Sequence, residues 1–292
     1  MLKELGFYNH FGNGDVLESR EFVREIMNLF PAERYTYYNS RSPRLLLDIP
    51  EITVINKIPT YLNGMRATVE QDNSLFINTW IGRDSRYVFP GYACTVEKLH
   101  EMYNDILKKY GKKLHFDNPL HYLTAVDYQN FDCDSIVEFV ETHLESNNGI
   151  YISNGFVNSN QAKNFDMTPL IFELAGRNKD RLFFITMDVP DKPKNVIDAN
   201  SLVSPYLDSN LMELSYLSIF CNTIIGRNSG PHVVTWTAHT CFLPPPTKNI
   251  TLTYDVNCSH FVHHLPIIME KYWSNKTDTS QLADWIDGVI NG

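Results

Sequence analysis

NTIIGRNSGPHVVT, residues Asn222 to Thr235, begins as a strand and ends as a helix. The apolar run Thr223-Ile224-Ile225 stops at Gly226, and Arg227, Asn228, Ser229 and Gly230 carry the chain to Pro231. Proline is favoured at the first helical position, where its missing N–H would have no partner in any case. A buried strand that turns tightly into a helix is the repeating step of a parallel α/β sheet. The N–H groups of Ser229 and Gly230 then stand at the positive end of a helix with Arg227 beside them, an arrangement suited to a diphosphate. A plain strand-to-helix turn without a ligand uses the same residues.

Working outward, the second half of the chain repeats this step. Ile150 to Ser153, Leu182 to Thr186, Val196-Ile197 and Ile250 to Tyr254 read as strands. Helices are expected from Thr168-Pro169 through Leu174, over Leu211 to Phe220 and over Leu282 to Ile290. Asn154-Gly155 opens a polar loop after the first of these strands. Asn147-Asn148-Gly149 is a cluster of turn formers, and it sets the expected domains at 1–148 and 149–292, with the last helix free to return to the first domain.

The first half has the same grammar. Leu5 to Tyr8 is a short strand, followed by the loop Asn9-His10-Phe11-Gly12-Asn13-Gly14-Asp15. Apolar residues from Val16 to Phe30 recur at helical spacing, and the helix stops at Pro31. Strands are expected at Tyr35 to Tyr38, Leu45 to Leu47, Ile52 to Ile55, Leu75 to Ile81 and Tyr122 to Val126. Helices are expected at Val96 to Tyr110, closed by Gly111, and at Ile136 to Leu144. The fold class is therefore α/β, with two Rossmann-like domains facing across a cleft and ligands at the carboxyl ends of the strands.

Composition narrows the function. The 292 residues carry a net charge of −9, which disfavours a nucleic-acid backbone as partner. Five cysteines, Cys94, Cys133, Cys221, Cys241 and Cys258, include no C-x-x-C pair, and a reduced, cytoplasmic setting is expected. The first residues lack the apolar core of a signal peptide, and no run reaches the length of a membrane span.

Two short motifs carry a resemblance. Gly14-Asp15-Val16-Leu17 follows the first strand, and Asn228-Ser229-Gly230-Pro231 ends a late one. The chain resembles glycosyltransferases of the two-domain GT-B type, and among them the ADP-heptose:lipopolysaccharide heptosyltransferase-like group. There a GD-x-L element opens the first helix and a D-[ST]-G-P turn faces the donor diphosphate. This chain has Asn228 at the family Asp, and His232 directly after the proline instead of one residue later. The resemblance implies the fold and glycosyl transfer in general, and not heptose transfer.

Glycosyl transfer needs a base for the acceptor hydroxyl, a stabilised leaving diphosphate and exclusion of water. Asp15 and His10 are the candidate bases; Asp15 can instead cap a helix, and a loop histidine can be structural. Gly12, Asn13 and Gly14, with Arg83 and Arg86, are the candidate acceptor-side residues. Asn154, Gly155, Arg227, Asn228, Ser229, Gly230 and Pro231 are the candidate donor-side residues, and Asp198, with Asn200 nearby, stands where a ribose or base is read. Arg227 is expected to neutralise phosphate charge. No metal or cofactor is expected beyond the nucleotide-diphosphate sugar as co-substrate, with a glycan, glycolipid or glycoprotein as acceptor. Asp132-Cys133-Asp134 reads as a helix start ahead of a metal site, and His260, His263 and His264 as a loop. A non-catalytic two-domain small-ligand-binding protein and a sugar-nucleotide epimerase are the alternative functions.

Overall fold

The computed structural model describes residues 1–62, 66–79, 96–115, 119–144, 148–158, 162–242, 247–253, 269–274 and 279–292. The described residues before Tyr128 form one compact unit, and those from Tyr128 onward form another.

The first unit is built on a five-stranded sheet. Its strands are β1 (Glu4–Asn9), β2 (Tyr35–Asn39), β3 (Ile52–Ile55), β4 (Thr68–Gln71) and β5 (Ser74–Asn78), in the spatial order β3-β2-β1-β5-β4. All neighbours run parallel except β4 and β5. β1 is buried along its whole length, as expected of a central parallel strand covered on both faces. It leads into α1 (Asn13–Glu18) and α2 (Arg20–Leu29). Phe22, Val23, Ile26 and Met27 of α2 share one helical face and are buried. Phe22 stacks on Tyr122 with centroids 4.0 Å apart and packs on Tyr103 of α3 (Val96–Lys108) at 4.9 Å. Leu99, Met102, Tyr103, Ile106 and Leu107 form the buried stripe of α3, each removing apolar surface worth roughly 1.5–3 kcal/mol when fully covered.

The second unit is a six-stranded sheet, parallel throughout. Its strands are β6 (Gly149–Ser153), β7 (Phe183–Ile185), β8 (Val196–Asp198), β9 (Cys221–Arg227), β10 (Lys248–Thr253) and β11 (Met269–Ser274), in the order β11-β10-β9-β6-β7-β8. Counted within the unit, this is the doubly wound Rossmann order, with β6 as its first strand. Strand side chains alternate between two cores. Ile150, Ile152, Phe183, Ile185 and Ile225 face α5 (Thr168–Arg177) and α9 (Thr279–Asn291). Tyr151, Phe184 and Ile224 face α4 (Asp134–His143) and α6 (Leu211–Ser218). α4 thus contributes Ile136 and Val140 to the core of the second unit, although it precedes the turn formers at 147–149. α9 likewise packs on α5 in this unit, through Leu282, Ala283, Ile286 and Ile290.

Several elements differ from the sequence expectation. Leu45 lies in a short 3-10 turn, Pro43–Leu46, and not in a strand. Tyr122 to Val126 is not a strand either: Tyr122 ends a 3-10 turn, Pro119–Tyr122, and the residues after it bond to α1 and α2. Thr124 Oγ1 donates to the Leu17 carbonyl at 3.1 Å, and the Ala125 amide donates to Glu21 Oε1 at 3.0 Å. β4, which the sequence expectation lacks, is an edge strand made by a tight hairpin, with Asp72 and Asn73 at φ 50° and 60°. The Asp-Asn pair was its only signal. The sequence expectation lacks β11 as well.

Candidate functional site

Ligands of doubly wound sheets bind outside the carboxyl ends of the strands, where the strand order reverses. In the second unit the reversal lies between β6 and β9. Asn154 and Gly155 follow β6, and Arg227 is the last residue of β9. The Arg227 side chain spans the reversal. Its Nη1 donates to the carbonyls of Asn154 at 2.9 Å and Gly155 at 2.8 Å, its Nε to Lys163 at 3.2 Å, and its Nη2 to Phe165. The guanidinium lies 5.7 Å from the Phe156 ring centroid and 5.0 Å from that of Phe165. Only 1% of the residue is exposed, and burial draws its pKa below the usual arginine value against the opposing charge of Asp166. Arg227 therefore floors the reversal as a buried cation and pins the loop that follows β6.

Beyond it, the Asn228 amide donates to the Leu252 carbonyl at 2.9 Å, and the chain turns through extended Ser229 into the single-turn helix α7 (Gly230–Val233). Pro231 stands in the first turn, as its sequence position implied. The Ser229 carbonyl accepts from the amides of His232 at 3.0 Å and Val233 at 2.9 Å. The Ser229 and Gly230 amides have no partner among the described residues, and both residues are half-buried. His232 turns inward: it is fully buried, its Nε2 bonds Thr251 Oγ1 at 3.0 Å, and its ring meets Trp236 edge-on.

Asn154 works as a clip. Its Oδ1 accepts from the amides of Thr186 at 3.0 Å and Met187 at 2.8 Å, and its Nδ2 donates to the Met187 carbonyl at 2.8 Å. Asp198 caps a short 3-10 turn, accepting from the Asn200 amide at 3.0 Å, while Asn200 Nδ2 donates to the Thr186 carbonyl at 2.8 Å. The ends of β6, β7 and β8 are thus tied together by side-chain amides.

The first unit has its own reversal, between β1 and β5. The loop after β1 carries His10 and Gly12, Asn13 and Gly14 open α1, and Thr79 follows β5. Asn9 Nδ2 donates to Thr79 Oγ1 at 3.2 Å, and the Tyr37 hydroxyl bonds the same atom at 2.8 Å. His10 Nε2 lies 3.2 Å from the Leu62 carbonyl. A carbonyl only accepts, so this contact calls for a proton on Nε2. Asp15, the third residue of α1, accepts the Gly12 amide on Oδ2 at 2.6 Å. A Cβ on Gly12 would stand 3.0 Å from that oxygen, so the glycine makes room for the carboxylate. Asp15 therefore does serve as a cap, through its position in the first turn. Burial pushes its pKa up to about 6, against the Gly12 and Asp15 amides and the charge of Arg41. Glu18, one turn further on the same face, is raised well above the usual range by burial and by Asp15. The Oδ1 of Asn13 is shut off from solvent and unpartnered among the described residues.

Glu18, Thr79 and the aromatic ring of Phe156 were not singled out by sequence reasoning; the i, i+3 spacing of Asp15 and Glu18 was the available signal. Arg83 and Arg86 lie outside the described residues, as do His260, His263 and His264. Asp134 of the D-x-D pattern opens α4, with Cys133 as its N-cap. Among the described residues, no group of three or more histidines, cysteines or acids is placed to hold a metal, and no helix is long and apolar enough to cross a membrane.

No protein-family model and no curated protein sequence matches the chain. Solved structures do. The E. coli heptosyltransferase WaaC, solved with ADP-2-deoxy-2-fluoro heptose, aligns over 99% of both chains with a TM-score of 0.52 at 10% identity. The fold is GT-B. A glycosyltransferase of family 9 from Veillonella parvula aligns with a TM-score of 0.50 at 12% identity, over 98% of this chain and 91% of that one. At such identities the likeness is one of GT-B architecture, and the chemistry rests on the side chains described above.

Proposed function

We propose that the chain is a glycosyltransferase that moves a sugar from a nucleotide-diphosphate sugar to a hydroxyl of a glycan, glycolipid or glycoprotein. One observation carries the reading: each unit of this GT-B chain has a strand-order reversal whose loop is chemically suited to one half of the reaction. In the second unit, the Ser229 and Gly230 amides would receive the diphosphate, with the buried charge of Arg227 at the end of the strand that leads to them. In this reading amides and a cation, and not a metal, neutralise the leaving group. In the first unit, Asp15 would take the acceptor proton, helped or replaced by His10. Gly12, Asn13 and Gly14, with Arg83 and Arg86, would hold the acceptor.

The step balances simply. The acceptor oxygen loses its proton to the base and bonds to the anomeric carbon, while the bond from that carbon to the diphosphate oxygen breaks. The nucleoside diphosphate leaves with the electron pair. A pKa near 6 keeps Asp15 ionised at neutral pH yet basic enough to assist. The expected setting is the cytoplasm.

ADP-linked sugars come first among the donors to try, since the WaaC structure holds one. Incubation with ADP-, GDP- and UDP-sugars and a pool of glycan acceptors, followed by mass spectrometry, tests the reading. Transfer that is lost in Asp15→Asn or His10→Ala supports it. Epimerised donor formed without acceptor would identify an epimerase instead, and binding of sugar nucleotides without any turnover would identify a binding protein.

A further inference from the structure

Six large apolar side chains are well exposed among the described residues: Met1, Leu47, Tyr61, Phe156, Met187 and Tyr206. Single exposed apolar residues are ordinary. Phe156 and Met187 differ because they follow adjacent strands on backbone pinned by side chains. Phe156, 65% exposed, stands just past β6, and Met187, 45% exposed, stands just past β7, the adjacent strand. The Met187 sulfur lies 3.5 Å from where a Cβ of Gly155 would be, which brings its thioether beside the residue preceding Phe156. Asn154 holds the Met187 main chain by both its amide and its carbonyl. Arg227 holds the carbonyls of Asn154 and Gly155 and lies under the Phe156 ring. An exposed aromatic ring backed by a buried cation, with a polarizable thioether at the end of the neighbouring strand, offers apolar surface on held backbone.

We infer that Phe156 and Met187 form the stacking surface for the purine or pyrimidine base of a nucleoside diphosphate. The inference rests on the donor site proposed above. β9, β6 and β7 are consecutive in the sheet, so the Ser229–Gly230 turn, Phe156 and Met187 follow one another along its edge. Two strand spacings, about 10 Å, separate the strands β9 and β7 that carry the first and the last. In doubly wound sheets the nucleoside extends from its phosphates at the reversal toward the end of the second strand, here β7. Stacking on an aromatic ring accepts any base, since every base has a π face.

The test is calorimetric titration of ADP and UDP into the full chain and three variants. Phe156→Ala should weaken the bound nucleotide about tenfold or more and lower the melting temperature only slightly, because most of the ring is exposed and it packs on Arg227. Phe156→Trp should retain affinity and show fluorescence quenching on binding. Tyr206→Ala removes an exposed ring elsewhere and should change nothing. Parent-like affinity of Phe156→Ala, in a chain whose parent binds nucleotide, would overturn the stacking surface and leave the donor site standing. If the parent binds neither nucleotide, both fall.

Discussion

The imidazole of His232 lies directly against Gly226. A Cβ added to Gly226 would stand 2.4 Å from Nδ1 and 2.6 Å from Cγ. The contact fixes how closely α7 approaches β9, and so sets the Ser229–Pro231 turn between them. Since the ring is fully buried and cannot swing out, Gly226→Ala should cost about 1–3 kcal/mol in urea unfolding through overpacking. Adding His232→Ala should recover part of that loss, a non-additivity expected only if the two residues press on each other.

Burial holds His232 neutral and pushes its pKa down to about 3. The unfolded ring titrates near 6.5, so the folded state binds protons less readily. Stability from this group is complete above about pH 6.5 and is lost as pH falls toward 3. At pH 5 the loss should be about 2 kcal/mol. Urea unfolding at pH 7 and pH 5 checks this against His232→Gln, whose stability should lack that component.

Asp15 has the opposite sign. Its folded pKa, about 6, lies above the unfolded value, so its ionisation costs stability as pH rises from about 4 to 6. Asp15→Asn keeps an acceptor for the Gly12 amide and removes the charge. It should stabilise the fold at pH 8 by about 1–2 kcal/mol, after allowance for solvent screening. It should also abolish transfer, while the parent's kcat/KM rises with pH through about 6. A variant that is both more stable and inactive would separate the base from a merely structural cap.

Arg227 has its donors on four carbonyls of the loop after β6. Arg227→Met should cost about 3 kcal/mol, because four loop carbonyls lose a charged partner that is itself buried. Nucleotide affinity should fall with it, since the loop is released. Arg227→Lys should restore only part of both, as one ammonium cannot reproduce the fork of the guanidinium. Melting curves with and without nucleotide report the two effects together.

The sheets were largely legible because parallel strands buried on both faces are continuous apolar runs, as in Gly149–Ser153 and Cys221–Arg227. Elements held by side chains were not. Thr124 and Ala125 look like a strand until Leu17 and Glu21 are seen to take their polar groups. The same limit applies to the site. The β6 and β9 turns could be located from glycine and proline, but the inward aim of Arg227 depends on loop carbonyls sixty or more residues away in the chain. The raised pKa of Asp15 depends on burial, which no local pattern encodes.

The proposed transfer depends above all on a nucleoside-diphosphate site in the second unit. Thermal unfolding of the full chain with ADP, GDP and UDP, each at 1 mM as an order-of-magnitude saturating dose, tests it most directly. A ligand at about 100 times its Kd stabilises by about 2.7 kcal/mol. At least one nucleotide should therefore raise the melting temperature by several degrees, and Phe156→Ala should shrink that shift. No shift with any of the three would contradict the account.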